Sequence, residues 1–148
     1  MPLVRHRARI AAPFEAIWDH LLRKIETPED YVPAVTRSEI LSRPADGVVE
    51  RLMFLQGPDG EERPTREIIT ADLETRTIIF LSKENPVFTG LVTNTVLEAG
   101  EGLELDITMN WVERPGKPSQ DHVDWQAMVR DAVEQTKRQV EAEAAGRS

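Results

Sequence analysis

The sequence contains no cysteine, no long apolar run and fewer basic than acidic residues. Without cysteine, disulfides, thiolate metal sites and cysteine nucleophiles are excluded, and the composition fits a reducing cytoplasm, where we expect the protein to reside. The apolar runs are shorter than the ~20 residues of a membrane-spanning helix, and the first residues form no continuous apolar signal core. The formal net charge of -8 would repel a phosphate backbone. We therefore predict no nucleic-acid partner and no membrane span.

Common catalytic signatures are also missing. No Gly-x-Ser-x-Gly elbow, glycine-rich phosphate loop or His-Glu-x-x-His helix occurs in the sequence. Residues 121–124 combine His122 with two aspartates, as a metal site would, but acidic residues are expected at a helix N-terminus because the helix dipole favours negative charge there. We predict neither a metal ion nor a cofactor.

The pattern along the chain predicts one domain over residues 1–148, with no repeat or linker. Residues 3–10 alternate apolar and mostly basic positions, which predicts a strand whose basic face points outward. Pro13 opens a helix with apolar residues at helical spacing, and residues 27–30 begin a second, shorter helix. Residues 35–113 alternate β-rich segments with turn residues, which predicts six more strands; their short connections require antiparallel neighbours.

A long amphipathic helix should end the chain. We expect Ser119 or Asp121 to cap it, an apolar stripe that includes Met128, and an end near residue 142, with residues 141–148 as a frayed tail. A meander of this length must curl to bury one face, and the helix fills the inside. The sequence predicts an α+β fold: a curved, seven-stranded antiparallel sheet around a long C-terminal helix, with two short helices between strands 1 and 2. A cavity between helix and sheet is compatible with this pattern, as is a solid core.

Four segments resemble a known family. They are IWDHLL at residues 17–22, YVP at 31–33, RLMFL at 51–55 and GLEL at 102–105. With the element order, they are similar to the helix-grip fold of the START/SRPBCC superfamily, which includes Bet v 1 and bacterial aromatase/cyclases, and more narrowly to its AtaL-like branch. The resemblance covers nearly the whole chain and implies this fold with a cavity for a hydrophobic ligand. It implies no single chemistry, because the superfamily contains carriers, cyclases and regulators.

The register of the last hairpin indicates which side chains would line a cavity. A two-residue loop at Gly100 and Glu101 pairs Glu98 with Leu103, Val96 with Leu105, Asn94 with Ile107, Val92 with Met109 and Gly90 with Trp111. One face is then apolar except for Asn94, whose buried amide must be satisfied by a ligand, by water or by a neighbour. Trp111 is either a cavity wall or an ordinary core aromatic. The opposite face, which we expect in water, carries Thr93, Thr95, Glu104, Asp106, Thr108 and Asn110.

The hairpin around Asp59 has one register that avoids opposing like charges. It sets Arg51 opposite Glu67, Met53 opposite Thr65 and Val49 opposite Ile69. An inward Arg51 could bind a carboxylate or phenolate, whereas a salt bridge at the rim is the commoner arrangement and the one we favour.

Histidine and tyrosine have competing interpretations. His6 lies on the inward set of the first strand, either as a satisfied core histidine or as a general acid or base. His20 lies off the apolar stripe of the first helix, so we expect it to be exposed. Tyr31, the sole tyrosine, either contacts a ligand or anchors the fold with its hydroxyl at the surface.

These observations favour a protein that binds a small hydrophobic molecule, of aromatic, polyketide-like or lipid-like chemistry, as a monomer or a homodimer. The candidate ligand-binding residues are Tyr31, Arg51, Met53, Glu67, Val92, Asn94, Met109, Trp111 and Met128. One alternative is a cyclase, aromatase or hydrolase that uses His6, Arg51, Glu67 and Asn94. Another is a regulatory module that binds a protein partner through its acidic surface.

Overall fold

Seven antiparallel strands form one curved sheet whose inner face packs against the C-terminal helix. The computed structural model describes residues 3–57, 59–116 and 123–146. In chain order the elements are β1 (Leu3–Ile10), α1 (Phe14–Glu26), a 3-10 helix (Pro28–Asp30), β2 (Val35–Ala45), β3 (Val48–Gln56), β4 (Glu62–Asp72), β5 (Thr77–Ser82), β6 (Phe88–Ala99), β7 (Gly102–Glu113) and α2 (Trp125–Gly146). No helix in these described ranges is both long and apolar enough to cross a membrane.

The strand order in the sheet is β1-β7-β6-β5-β4-β3-β2. Strands β2 to β7 therefore follow one another as hairpins, and β1 joins beside β7. The predicted registers are confirmed: Asn94 lies opposite Ile107 and Gly90 opposite Trp111 in the last hairpin, while Arg51 lies opposite Glu67 between β3 and β4. Because side chains alternate between faces, these registers fix which residues point toward α2.

Gly90 allows β6 and β7 to approach closely beside Trp111. Its φ of 138° lies in a region that other residues rarely adopt. A Cβ at this position would lie 1.9 Å from the backbone oxygen of Asn110. The local geometry at the inner wall therefore requires glycine.

One prediction for the outer face is wrong, because Asp106 is buried rather than in water. The Arg7 Nε on the neighbouring strand β1 donates to Asp106 Oδ2 at 2.5 Å, and the Thr108 hydroxyl donates to Oδ1 at 2.6 Å. Arg5 and Arg7 of β1 both form ion pairs with this carboxylate, so the basic face of that strand covers an acidic residue of β7.

The helix α2 continues to Gly146, past the predicted end near residue 142 and through most of the predicted frayed tail. Two glutamates in the predicted tail bind the rest of the protein: Glu141 Oε2 accepts from the Ala11 backbone N–H at 2.7 Å, and Glu143 accepts from Arg23 at 2.9 Å. At the start, Asp124 Oδ1 accepts from the Ala127 N–H at 2.9 Å, as a capping residue does. The predicted caps Ser119 and Asp121, and His122, lie outside the described residues.

Candidate functional site

An internal cavity of about 80 Å³ lies between the inner face of the sheet and the first turns of α2. Eight of the nine candidate ligand-binding residues line it: Arg51, Met53, Glu67, Val92, Asn94, Met109, Trp111 and Met128. Tyr31 is not among the lining residues. The inside of the described fold is therefore not packed solid, and the strand registers bring seven of these side chains together, while Met128 comes from the apolar stripe of α2.

Trp111, which lines the cavity, belongs to a cluster of three aromatic rings. Trp111 stacks on Phe88 with ring centroids 5.5 Å apart, and Trp125 at the start of α2 meets Trp111 nearly edge-on at 5.7 Å. Such offset and edge-to-face pairs add to the stability that burial of the rings provides. Trp111 is thus a core aromatic that also forms part of the cavity wall, so both interpretations of its role are correct.

The Arg51–Glu67 pair points inward, so the favoured prediction of a rim salt bridge is wrong. The two side chains are 3% and 5% exposed, and Arg51 Nη2 donates to Glu67 Oε1 at 2.7 Å. Arg51 Nη1 also donates to the backbone oxygens of Ile25 at 2.9 Å and Lys24 at 3.2 Å. These carbonyls belong to the last turn of α1, where a cation is favoured. The end of α1 thereby covers the ion pair and keeps it out of water.

Sequence reasoning missed Lys24, which is buried and lines the cavity. Its side-chain nitrogen, Nζ, donates to the side-chain oxygen of Asn94. Of the three possible partners of this amide, namely a ligand, water or a neighbour, a neighbouring side chain therefore satisfies its oxygen. Burial, and then the nearby charge of Arg51, lowers the pKa of Lys24 to about 7, although Glu67 acts in the opposite direction. The signal was in the helical spacing: Lys24 is three residues after Leu21 and next to Ile25, on the apolar stripe of α1.

His20 is buried, so the expectation that it is exposed is wrong. Its Nδ1 lies 2.9 Å from the Tyr31 hydroxyl, and its Nε2 lies 2.8 Å from a carboxylate oxygen of Glu143 on α2. Burial, followed by the charge of Arg23, lowers the pKa of His20. The contacts from Tyr31 to His20 and from His20 to Glu143 connect the 3-10 helix region, α1 and α2. The tyrosine hydroxyl therefore points to His20 rather than to the surface.

His6 lies outside the cavity lining. It is partly exposed on β1, and its Nε2 is 3.1 Å from Glu134 Oε1 on α2. His6 is therefore not placed to act on a molecule in the cavity together with Arg51, Glu67 and Asn94, as the enzyme hypothesis requires.

A second, larger concavity of about 500 Å³ lies between α1 and the turn that joins β2 to β3. Its polar residues include Glu26 and Arg43, which form an ion pair at 2.6 Å with both side chains about half exposed. This depression is a groove at the surface. The inner cavity is the better candidate site despite its smaller volume, because it alone of the two combines apolar walls with buried polar groups.

The inner cavity offers hydrogen-bond donors and positive charge on one side and apolar surface on the other. Arg51 supplies a guanidinium, Lys24 supplies an amino group whose pKa is lowered to about 7, Glu67 supplies one carboxylate that is already bound to Arg51, and Asn94 supplies an amide. Such a site can orient a mostly apolar molecule by one polar end. Within the described ranges, no group of three His, Asp or Glu residues is placed to hold a metal ion.

A family model described as "AtaL: Acetylaranotin biosynthesis cluster protein L" matches residues 13–144, which is most of the chain. No curated protein matches the sequence significantly.

Solved structures with the same architecture are numerous. TTHA0849 from Thermus thermophilus is 20% identical with a TM-score of 0.77, and the alignment covers 97% of this chain and 99% of that one. The Zhui aromatase/cyclase from a Streptomyces species is 20% identical with a TM-score of 0.75 over 98% of this chain and 94% of that one. A START superfamily protein from Mycobacterium smegmatis is 13% identical with a TM-score of 0.70 over 99% of both chains. At these identities the likeness shows the fold alone, and the expected helix-grip architecture is confirmed.

Proposed function

Because this chain belongs to the AtaL family, we propose that it binds one small hydrophobic molecule in the cavity between the sheet and α2. The observation that carries the proposal is the cavity itself, which lies inside the fold and is lined mostly by apolar side chains. The expected ligand is aromatic, polyketide-like or lipid-like. The name of one structural neighbour, an aromatase/cyclase, supports an aromatic molecule among these three classes.

The cavity volume limits the size of the ligand. An engineered apolar cavity that accepts benzene has a volume of about 150 Å³, whereas this cavity has about 80 Å³. A ring-sized ligand therefore requires the lining to move apart. Met53, Met109 and Met128 are the side chains best suited to do so, because methionine has flexible torsions and a polarisable sulfur.

The polar side of the cavity should orient the ligand. Lys24 and Arg51 lie on this side, and both are positioned over the Phe80 ring, at 5.7 and 5.5 Å from its centroid. A ligand oxygen with partial or full negative charge would be favoured next to these groups, while the rest of the ligand contacts Val92, Met109 and Trp111.

Filling the cavity tests the proposal. Ala132 on α2 lines the cavity and is buried, so Ala132→Leu should occupy space that a ligand needs. Ala142→Leu places the same side chain on an exposed position of the same helix and serves as the control. Binding of benzyl alcohol, followed by the fluorescence of Trp111 and Trp125, should weaken at least about tenfold in Ala132→Leu, which corresponds to ~1.4 kcal/mol, and stay unchanged in Ala142→Leu.

Native mass spectrometry of protein purified from cells gives a second, independent measurement. We expect a bound molecule in the wild type and its loss in Ala132→Leu. Equal benzyl alcohol affinity in the wild type and Ala132→Leu, or no binding by any variant, would contradict the proposal.

A further inference from the structure

The buried amine of Lys24 is in an unusual position for a lysine side chain. Its Nζ lies in the wall of an apolar cavity, 5.7 Å from the centre of the Phe80 ring, and its hydrogen-bond partner is the neutral amide of Asn94. A lysine at the surface would instead keep its ammonium group in water. The side chain is therefore presented to whatever occupies the cavity.

The charged groups that face Lys24 do not neutralise it. From β3, Arg51 contributes a second positive charge beside the same Phe80 ring. From β4, Glu67 contributes a carboxylate, but its Oε1 accepts from both Nε and Nη2 of Arg51. The residues of α2 that line the cavity, Met128, Val129 and Ala132, carry no charge.

These surroundings leave much of Lys24 as the neutral amine. Burial and the charge of Arg51 lower its pKa to about 7, so a substantial part of the population has a lone pair on Nζ near neutral pH. A lysine with the ordinary pKa of about 10.4 is almost entirely protonated at that pH. A desolvated lysine next to another cation is an arrangement that activates amines toward carbonyl compounds.

We propose that the cavity accepts ligands with an aldehyde or ketone group, and that Lys24 captures this carbonyl as an imine. This inference rests on the proposed ligand-binding function and names the chemical class of its ligand. Asn94 holds the amine at the cavity wall, and the apolar lining holds the body of the ligand.

The reaction is balanced without an oxidant, a reductant or a metal ion. The Nζ lone pair attacks the carbonyl carbon and forms a C–N bond, while the π electrons move to the carbonyl oxygen, which takes a proton given up by the nitrogen. The C–O bond of this carbinolamine then breaks, the oxygen leaves as water with the second amine proton, and a C=N bond remains. One carbonyl compound is consumed and one water is released.

Reductive trapping tests the proposal on the full chain. The protein is incubated with benzaldehyde and sodium cyanoborohydride, which reduces an imine to a stable secondary amine, and the modified lysines are identified by peptide mass mapping. Lys83 has a side chain that is 46% exposed and serves as the internal reference. We expect Lys24 to be modified at least about tenfold faster than Lys83, since the neutral amine is the form that attacks a carbonyl and burial makes that form abundant at Lys24.

Two variants and one competitor complete the experiment. Lys24→Met should remove the fast modification and Lys83→Met should keep it. Benzyl alcohol, which has the same ring but no carbonyl, should slow trapping at Lys24 and leave Lys83 unchanged. If Lys24→Met does not fold, the ratio of the two lysines in the wild type and its response to benzyl alcohol decide the question.

The outcomes separate this inference from the proposed function. Should benzyl alcohol bind the wild type but not Ala132→Leu, while Lys24 is modified no faster than Lys83, the cavity binds ligands and the imine proposal is wrong. Should neither compound bind, both proposals are wrong.

Discussion

Replacing Glu67 by glutamine should strongly destabilise the protein, because it removes the carboxylate that neutralises buried Arg51. The side chains of both residues are at most 5% exposed, and Glu67 Oε1 accepts two hydrogen bonds from the guanidinium, at 2.7 and 3.2 Å. Breaking a buried ion pair from one side typically costs about 3 to 5 kcal/mol. Arg51 keeps its bonds to two carbonyls of α1, so we expect about 3 kcal/mol, which lowers Tm by about 6 to 12 °C in a chain of this size.

The pair Glu50–Arg66 provides a matched control on the same two strands. It lies on the outer face, at 2.7 Å, with side chains that are 16% and 40% exposed. Water screens this pair, so Glu50→Gln should cost less than about 1 kcal/mol. Urea unfolding followed by tryptophan fluorescence, with calorimetry for Tm, measures both variants.

A double variant tests the physical reason for the effect. Arg51→Met combined with Glu67→Met removes both members of the ion pair, so neither charge is left buried without the other, and it should be more stable than Glu67→Gln alone. If Glu67→Gln and Glu50→Gln lose the same free energy of unfolding, or if Glu67→Gln loses less than about 1 kcal/mol, the argument that burial makes this pair critical is wrong.

Gly90 and Lys24 lead to two further predictions. Gly90→Ala should lower the free energy of unfolding in urea by more than about 3 kcal/mol, because the new Cβ would lie 1.9 Å from the Asn110 backbone oxygen at a φ of 138°. A decrease of less than about 1 kcal/mol would contradict the close approach of β6 and β7. Lys24 should make stability depend on pH, because its pKa is about 7 in the folded protein and near 10.5 in the unfolded chain. Between these pH values the unfolded chain binds more protons than the folded protein. The free energy of unfolding therefore rises with pH, by up to about 1.4 kcal/mol per pH unit. Lys24→Met should remove that rise, and equal slopes for both proteins would show that Lys24 has an ordinary pKa.

Local patterns predicted the sheet well because each hairpin register depends on neighbouring residues. The loop at Gly100 and Glu101 determines that Asn94 and Trp111 share one face, and the avoidance of like-charge pairs sets Arg51 opposite Glu67. These two hairpins account for seven of the eight predicted residues that line the cavity, and Met128 on α2 is the eighth.

The missed features all depend on contacts between elements distant in the chain. On a helix considered alone His20 is exposed, but Glu143 from the end of α2 covers it. Considered on β3 alone, Arg51 is expected at the rim of the sheet, but two backbone carbonyls of α1 accept hydrogen bonds from its guanidinium in the interior. Lys24 lies on an apolar stripe, and only the position of Asn94 on β6 shows why a lysine is tolerated there. The spacing within α1 places Lys24 on the buried stripe, but no spacing rule within one element identifies its partner or the partners of His20 and Arg51.

The position of β1 next to β7 has a consequence for how the chain folds. Leu3 pairs with Asn110 and Ile10 with Leu103, so β1, which is synthesised before the other six strands of this sheet, has its hydrogen-bonding neighbour in the strand that is synthesised last. Hairpins from β2 to β6 can assemble during synthesis, whereas β1 must wait until β7 emerges, and contacts of such long range are slow to form. A nascent or truncated chain that lacks β7 therefore exposes an unpaired β1 and the free edge of β6, which makes that intermediate prone to aggregate.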